Sequence, residues 1–129
     1  MVMNLTDTHA IAHRIGTAMA AADWTTVLDA ITPDVVAHVP AVGDLHGIAE
    51  VAGFLADTTD KTDNGEQFEL LDALAGEGYA ALYFRITAQR EGRQPLDNLT
   101  VHLARLEGDR IAEIWFHNFD GPAVAAFWL

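Results

Sequence analysis

The sequence predicts an α+β fold in which an N-terminal helical third packs on a curved, mainly antiparallel sheet, with a small-molecule pocket between the two layers. Three observations carry this expectation. Apolar residues recur at helical spacing as far as Leu55, the second half changes to aromatic and β-branched runs separated by glycines, and the helical period returns only in the closing residues. Helices followed by a strand meander suit an architecture with helices segregated on one face of an antiparallel sheet.

The elements follow in order. Ile11, Ile15, Met19 and Ala22 form a helical stripe behind Thr6 and Asp7, either of which can cap the first turn. Asp23 caps a second helix carrying Trp24, Val27, Leu28 and Ile31, and Thr32-Pro33 stops it. Val35 to Pro40 reads as a brief strand that the proline bars from the interior of a sheet, and Ala41 to Gly47 as a loop. A third helix carries Ile48, Val51 and Leu55, opened by Gly47 or Asp44. After a polar loop at 58–65, four strands are expected at Gln67–Leu74, Tyr79–Gln89, Pro95–Leu106 and Arg110–Phe119. Asp120-Gly121-Pro122 then opens a short C-terminal helix.

Composition narrows the function classes. A chain of 129 residues that is 50% hydrophobic fits a packed globule, expected as one domain over 1–129. Zero cysteines exclude disulfides and thiolate chemistry and favour a reducing cytoplasm. No basic leader precedes an apolar run, and no stretch approaches the roughly 20 residues that cross a bilayer, so a cytoplasmic location is expected. The net charge is −12, and Lys61 is the only basic residue between Arg14 and Arg85. Such a chain repels phosphate backbones and anionic membrane surfaces, so neither nucleic acid nor membrane is an expected partner.

Strand parity locates the pocket and raises a second question. Asn98, Thr100, His102 and Ala104 share one face, and Leu99, Val101 and Leu103 the other. Leu82, Phe84 and Ile86 oppose Tyr83, Arg85 and Thr87, while Ile114 and Phe116 oppose Glu113, Trp115 and His117. Large apolar groups on both faces call for a cover on each side. A homodimer is the simplest second cover; bulges that shift the register are the alternative.

Ala22-Asp23-Trp24, the run Val35-Val36-Ala37-His38-Val39-Pro40 and Gly47 resemble the opening of SnoaL-like and ketosteroid-isomerase-like proteins of the nuclear-transport-factor-2-like superfamily. Val101 to Leu106, Gly108, Arg110 to Trp115 and Asp120 resemble that family's last two strands. The resemblance covers essentially the whole chain. It implies a cone-like fold, a pocket between the helices and the concave face of the sheet, and a dimer through the convex face. It also implies departures. The isomerase tyrosine falls at Ile15, its carboxylate base at Val39, and its oxyanion-binding acid at His102; the cyclase carboxylate on the last strand falls at Phe116. Steroid-type isomerisation by that dyad is therefore not expected, and the aldol cyclase chemistry loses its usual acid/base.

His102 is the strongest candidate for acid/base chemistry, since a histidine among Thr100, Phe84, Ile86 and Phe116 can donate to or accept from a bound carbonyl; the alternative is a core histidine satisfied by a neighbour. His38 is a second catalytic candidate if a twist at Pro40 turns it inward, although plain parity points it outward. Ile15, Met19, Val39, Phe84, Ile86, Thr100, Ile114, Phe116 and Asn118 are the expected substrate-binding residues, Asn118 as the polar partner of a ligand oxygen. His9 and His13 have a chelating spacing without a third ligand, and the acidic residues Asp57, Asp60, Asp63 and Glu66 lack the order of a calcium loop, so no metal is expected. No phosphate loop, nucleophile elbow or dinucleotide fingerprint is present, and no cofactor is expected. The leading expectation is a cofactor-independent isomerase, cyclase or hydro-lyase acting on a small, mainly apolar, polyketide-like oxygenated molecule. The alternatives are a non-catalytic binding protein of the same fold and a dimerisation module whose cavity is filled by side chains.

Overall fold

The computed structural model describes residues 4–129, and its elements follow the expected order with one addition. Helices α1 (Leu5–Ala20) and α2 (Trp24–Asp29) lead into strand β1 (Ile31–Val39), hairpin strand β2 (Gly43–His46) and helix α3 (Ile48–Lys61). Strands β3 (Gln67–Ala75), β4 (Tyr79–Ala88), β5 (Leu96–Glu107) and β6 (Arg110–Asn118) form the meander, and α4 (Gly121–Trp128) closes the chain. The six strands make one sheet in the order β2-β1-β6-β5-β4-β3, antiparallel except where β1 lies parallel to β6. This is the α+β fold with a mainly antiparallel sheet that the sequence predicts.

Capping explains where the helices begin. Asn4, rather than Thr6 or Asp7, caps α1, its Oδ1 accepting from Asp7 N at 2.8 Å. Asp7 instead supplies negative charge to the first turn, where the helix dipole favours it. Ala22 belongs to the left-handed turn after α1, with φ of 55°, not to the helix stripe. Asp23 caps α2 as expected, accepting from Thr26 N and from the Thr26 hydroxyl at 3.2 and 2.6 Å. Gly47, with φ of 86°, opens α3, and Asp120 caps α4 by accepting from Ala123 N at 3.1 Å.

Two sequence expectations about the first strand are corrected. α2 stops at Asp29, and Ile31, assigned by periodicity to the helix, begins β1 and pairs with Ile111 of β6. β1 is an interior strand, flanked by β2 and β6. Proline does not bar it, because Pro40 lies just beyond its end and Pro33 falls in the stretch between Ile31 and Val36 where the β1–β6 register shifts. A residue without an N–H is tolerated where the ladder is already interrupted. The segment Ala41 to Gly47, expected as loop, contains β2, which returns as a hairpin through Pro40–Val42.

Helices α1, α2 and α3 cover one face of the sheet. Ile11, Ala12, Ile15 and Met19 of α1 join Leu82, Phe84, Ile86 and Ala104 in the core, and Phe84 and Ile15 are fully buried. Gly16 permits this approach, since a Cβ there would lie 2.9 Å from both Leu70 methyl carbons. α4 is held down by two loop cations. Arg90 donates to Phe127 O and Trp128 O at 2.9 and 3.1 Å, and Arg93 donates to Ala126 O at 2.9 Å. Guanidinium donors at the last carbonyls of a helix satisfy orphan acceptors and oppose the negative end of its dipole.

The parity expected for β5 holds along its whole length. Leu96, Asn98, Thr100, His102, Ala104 and Leu106 are buried, whereas Leu99, Val101, Leu103 and Arg105 are only half-buried. The apolar row thus faces away from the helices, and the polar row faces them.

Candidate functional site

The helix-covered face holds a cavity of about 170 Å³ whose lining is predominantly apolar. That is room for roughly one six-membered ring, since an apolar cavity of about 150 Å³ accepts benzene. Its walls come from every layer. Met19 belongs to α1, Val39–Val42 to the end of β1 and the hairpin turn, Phe54 and Leu55 to α3, Phe68 to β3, and Val124 and Trp128 to α4. Ile86, Leu96, Asn98, His102, Phe116 and Asn118 form the strand floor.

His102 reaches this floor because β5 and β6 pair it with Phe116, and the two rings stack 4.1 Å apart at 17°. Phe84 and Phe68 meet it edge-on at 5.3 and 6.4 Å. Its Nδ1 is buried with no hydrogen-bond partner among the described residues. Burial, with a smaller contribution from the charge of His117, pushes its pKa down to about 3. At neutral pH the ring is therefore uncharged and offers one N–H and one lone pair, whichever tautomer it adopts.

Beside it, Asn98 donates through Nδ2 to Asn118 Oδ1 at 3.0 Å. Asn98 Oδ1 accepts from Asp120 N at 3.4 Å, tying the floor to the cap of α4. With its carbonyl engaged, the Asn118 amide nitrogen has no hydrogen-bond partner among the described residues.

The expected site residues separate into two groups. His102, Met19, Val39, Ile86, Phe116 and Asn118 line the cavity together. Ile15, Phe84, Thr100 and Ile114 do not. Ile15 and Phe84 are core supports beneath the wall, Ile114 packs against the core beside them, and the Thr100 hydroxyl is consumed by donating to His117 O at 3.0 Å. Parity alone places a side chain on a face; it does not say whether a neighbour covers it.

His38 lies on the opposite side of the sheet, so the inward twist considered from sequence does not occur. β1 places it opposite Trp115, and the two rings stack 5.3 Å apart at 13°. It donates to Glu113 Oε2 at 2.6 Å and to Asp44 Oδ1 at 2.7 Å. Those two carboxylates, Glu113 foremost, raise its pKa and hold it protonated. His38 is thus a charged tie between β1, β2 and β6, remote from the cavity.

One cavity residue was not legible as such in the sequence. Glu66, which the acidic run presented as a loop carboxylate, lines the cavity at the entrance to β3. Desolvation raises its pKa to about 7. The Thr58 hydroxyl opposes that rise, but it relieves little, since its proton is committed to Leu55 O at 2.9 Å. Lys61, the cation on the same wall, pairs with Asp57 at 2.9 Å. Among the described residues no cluster of three potential metal ligands occurs, and His9 and His13 sit on α1 with ring centroids 6.3 Å apart.

An α+β fold whose helices and sheet enclose an apolar cavity with a few convergent polar groups defines a small-molecule pocket protein. The family follows directly: the SnoaL-like domain model matches residues 12–114, and the chain belongs to that family. No curated protein matches it in sequence. Among solved structures it is similar to Bal32a from a soil-derived mobile gene cassette, with 19% identity, a TM-score of 0.87 and coverage of 97% of this chain and 98% of that one. A protein of unknown function with a cystatin-like fold from Xanthomonas campestris is 27% identical, with a TM-score of 0.85 and 98% of both chains covered. A candidate SnoaL-like polyketide cyclase from a Jannaschia species is 13% identical, with a TM-score of 0.76 and 93% of both chains covered.

Proposed function

We propose that this SnoaL-like chain, acting as one domain over 1–129 in the cytoplasm, is a cofactor-independent isomerase, cyclase or hydro-lyase that binds a small, mainly apolar carbonyl compound. The observation that carries the reading is the uncharged His102 ring on the floor of an apolar cavity, beside Asn98 and Asn118. In this reading His102 and Asn118 hold the ligand oxygen while Phe116, Ile86 and Trp128 exclude water, which strengthens those contacts. The SnoaL-like neighbour described as a candidate polyketide cyclase supports an oxygenated ligand of this kind.

His102→Phe tests the anchor, because it preserves the stack on Phe116 and removes both nitrogens. Titration of ¹⁵N-labelled protein with cyclohexanone is expected to show binding to the parent and about tenfold weaker binding to the variant, as the loss of one hydrogen bond implies. Equal affinity in the two proteins refutes the anchor role.

A non-catalytic binding protein is the second reading, favoured by the apolar side chains at Val39 and Phe116, where the family carries carboxylates. Recovery of a carbonyl ligand unchanged and without hydrogen exchange distinguishes it. The third reading, a module whose cavity is filled by side chains, is disfavoured by the open volume around His102.

We also propose that a second copy of the chain covers the outer face of the sheet. Leu99, Val101, Leu103 and Trp115 lie half-buried in a continuous patch there. Arg85 and Asp97, paired at 2.6 Å, and Arg105 and Glu113, paired at 3.4 Å, satisfy the charges around the patch. Sedimentation velocity is expected to give a dimer for the parent and a monomer for Val101→Glu. A monomeric parent at micromolar concentration contradicts this assignment.

A further inference from the structure

The cavity has two polar sides. His102, Asn98 and Asn118 lie on the strand floor, and Glu66 enters where α3 gives way to β3. Its position is built by the backbone. Asn64 and Gly65 are consecutive left-handed residues, with φ of 65° and 76°, a conformation that asparagine tolerates and glycine adopts freely. Asp63 N donates to Gln89 O at 2.8 Å, pinning the turn to the end of β4. The chain therefore reverses sharply and places Glu66, half-buried, on the cavity wall.

No ion pair or side-chain hydrogen bond to a cation holds the Glu66 carboxylate among the described residues, since Lys61 is taken by Asp57. The other ionisable side chains on the wall are Asp57 and Lys61 from α3 and His102 from β5; α1, β4, β6 and α4 add none. His102 is neutral and holds no spare proton to give or strong affinity for one. A cavity that moves protons must use another group.

Resting on the reading of this cavity as a carbonyl site, we propose that Glu66 is its proton-transfer residue. The Glu66 carboxylate removes a proton from the carbon adjacent to the ligand carbonyl. The C–H bond breaks, an O–H bond forms on the carboxylate, and the electron pair moves into an enolate whose oxygen accepts from the Asn118 amide and from His102. Return of the proton to the same or a conjugated carbon regenerates the carboxylate, so no co-reactant is consumed. A carboxyl group that titrates near neutrality suits both halves of this cycle, being deprotonated often enough to accept and acidic enough to return the proton. The substrate class is a ketone of about one ring with an acidic C–H next to its carbonyl, small enough for about 170 Å³. The positions at which the family carries its carboxylates are apolar here, so this assignment moves the acid/base function to a different wall of the pocket.

The probe is cyclohexanone in D₂O with the full chain, following loss of the α-proton signal by ¹H NMR. Exchange faster than in buffer, rising with pH to a plateau with a midpoint near 7, is expected for the parent. Glu66→Gln is expected to slow it at least a hundredfold, in the range for general base catalysis, and Glu66→Asp to restore part of the rate. Binding is followed in parallel from the shift of the His102 ring signals. If cyclohexanone shifts those signals but exchange does not exceed the buffer rate, or Glu66→Gln exchanges as fast as the parent, the assignment of Glu66 is overturned while the carbonyl-site reading stands. If the ring signals do not move, the carbonyl-site reading itself fails and the assignment falls with it.

Discussion

Glu66→Gln is expected to be more stable than the parent by about 2–3 kcal/mol at pH 8 and equally stable at pH 4, measured by urea unfolding at the two pH values. The pKa of Glu66 rises from 4.5 to about 7 on folding. Below pH 4.5 the carboxyl is protonated in both states and resembles the amide that replaces it. Above pH 4.5 the unfolded chain releases the proton first, so the native state loses stability as pH climbs toward 7. Full conversion of that gap gives about 3.4 kcal/mol, and the partial exposure of the residue at the cavity mouth lowers the effect. A gain of the same size at both pH values would mean that the carboxyl is not burdened by ionisation. Keeping a carboxyl at this cost, where an amide would hold the fold better, is the trade between stability and function that the proposed proton-transfer role implies.

The two buried titratable groups of the cavity act on stability in opposite directions. Between pH 4.5 and 6.5 the unfolded chain carries a proton on His102 that the native chain lacks, and the native chain carries one on Glu66 that the unfolded chain lacks. Each contributes a slope of about 1.4 kcal/mol per pH unit, with opposite signs, so their combined contribution is nearly flat across that window. The cavity can thus hold a neutral base and a reluctant acid together without an ion pair between them.

How much of this was legible in the sequence differs between the sheet and the site. The parity of β5 could be read directly, because Asn98, Thr100 and His102 alternate with Leu99, Val101 and Leu103, and the whole strand keeps one register against β4. The inward placement of His102 followed from that alternation, and that of Asn118 from its sharing the parity of Phe116 on β6. β1 was harder, since its proline and its register shift interrupt the pattern from which a strand is recognised. His38 shows the value of plain parity: the simple count was right, and the imagined twist was not needed once two carboxylates awaited the ring on the outer face. Glu66 was invisible for a different reason. Its neighbours Asp60, Asp63 and Asn64 give the segment a solvated composition, and only the left-handed pair Asn64-Gly65 and the anchor at Gln89 bring the side chain inward. A turn geometry of that sort leaves one weak signal in sequence, an Asn-Gly step before a strand.

The second large effect concerns His102 at low pH. In the Glu66→Gln background, where the opposing slope is gone, the protein is expected to lose about 3 kcal/mol of stability between pH 6.5 and pH 4, and adding His102→Phe is expected to remove most of that loss. The folded pKa of about 3 lies below the unfolded value of 6.5, so the unfolded chain gains its proton first as pH falls and the native state is progressively disfavoured until pH 3. Phe116 stacked on one side and Phe84 and Phe68 at the edges leave no partner for an imidazolium, which is why the cost is paid in desolvation and not offset by an ion pair. Surface carboxylates such as Asp97 and Glu113, whose pKa values are lowered by Arg85 and His38 respectively, add their own acid sensitivity below about pH 4.5 in both variants and so cancel in the comparison. If the double variant loses as much stability as Glu66→Gln over the same range, His102 is not held neutral by burial, and its role as an uncharged anchor for a ligand oxygen loses its physical basis.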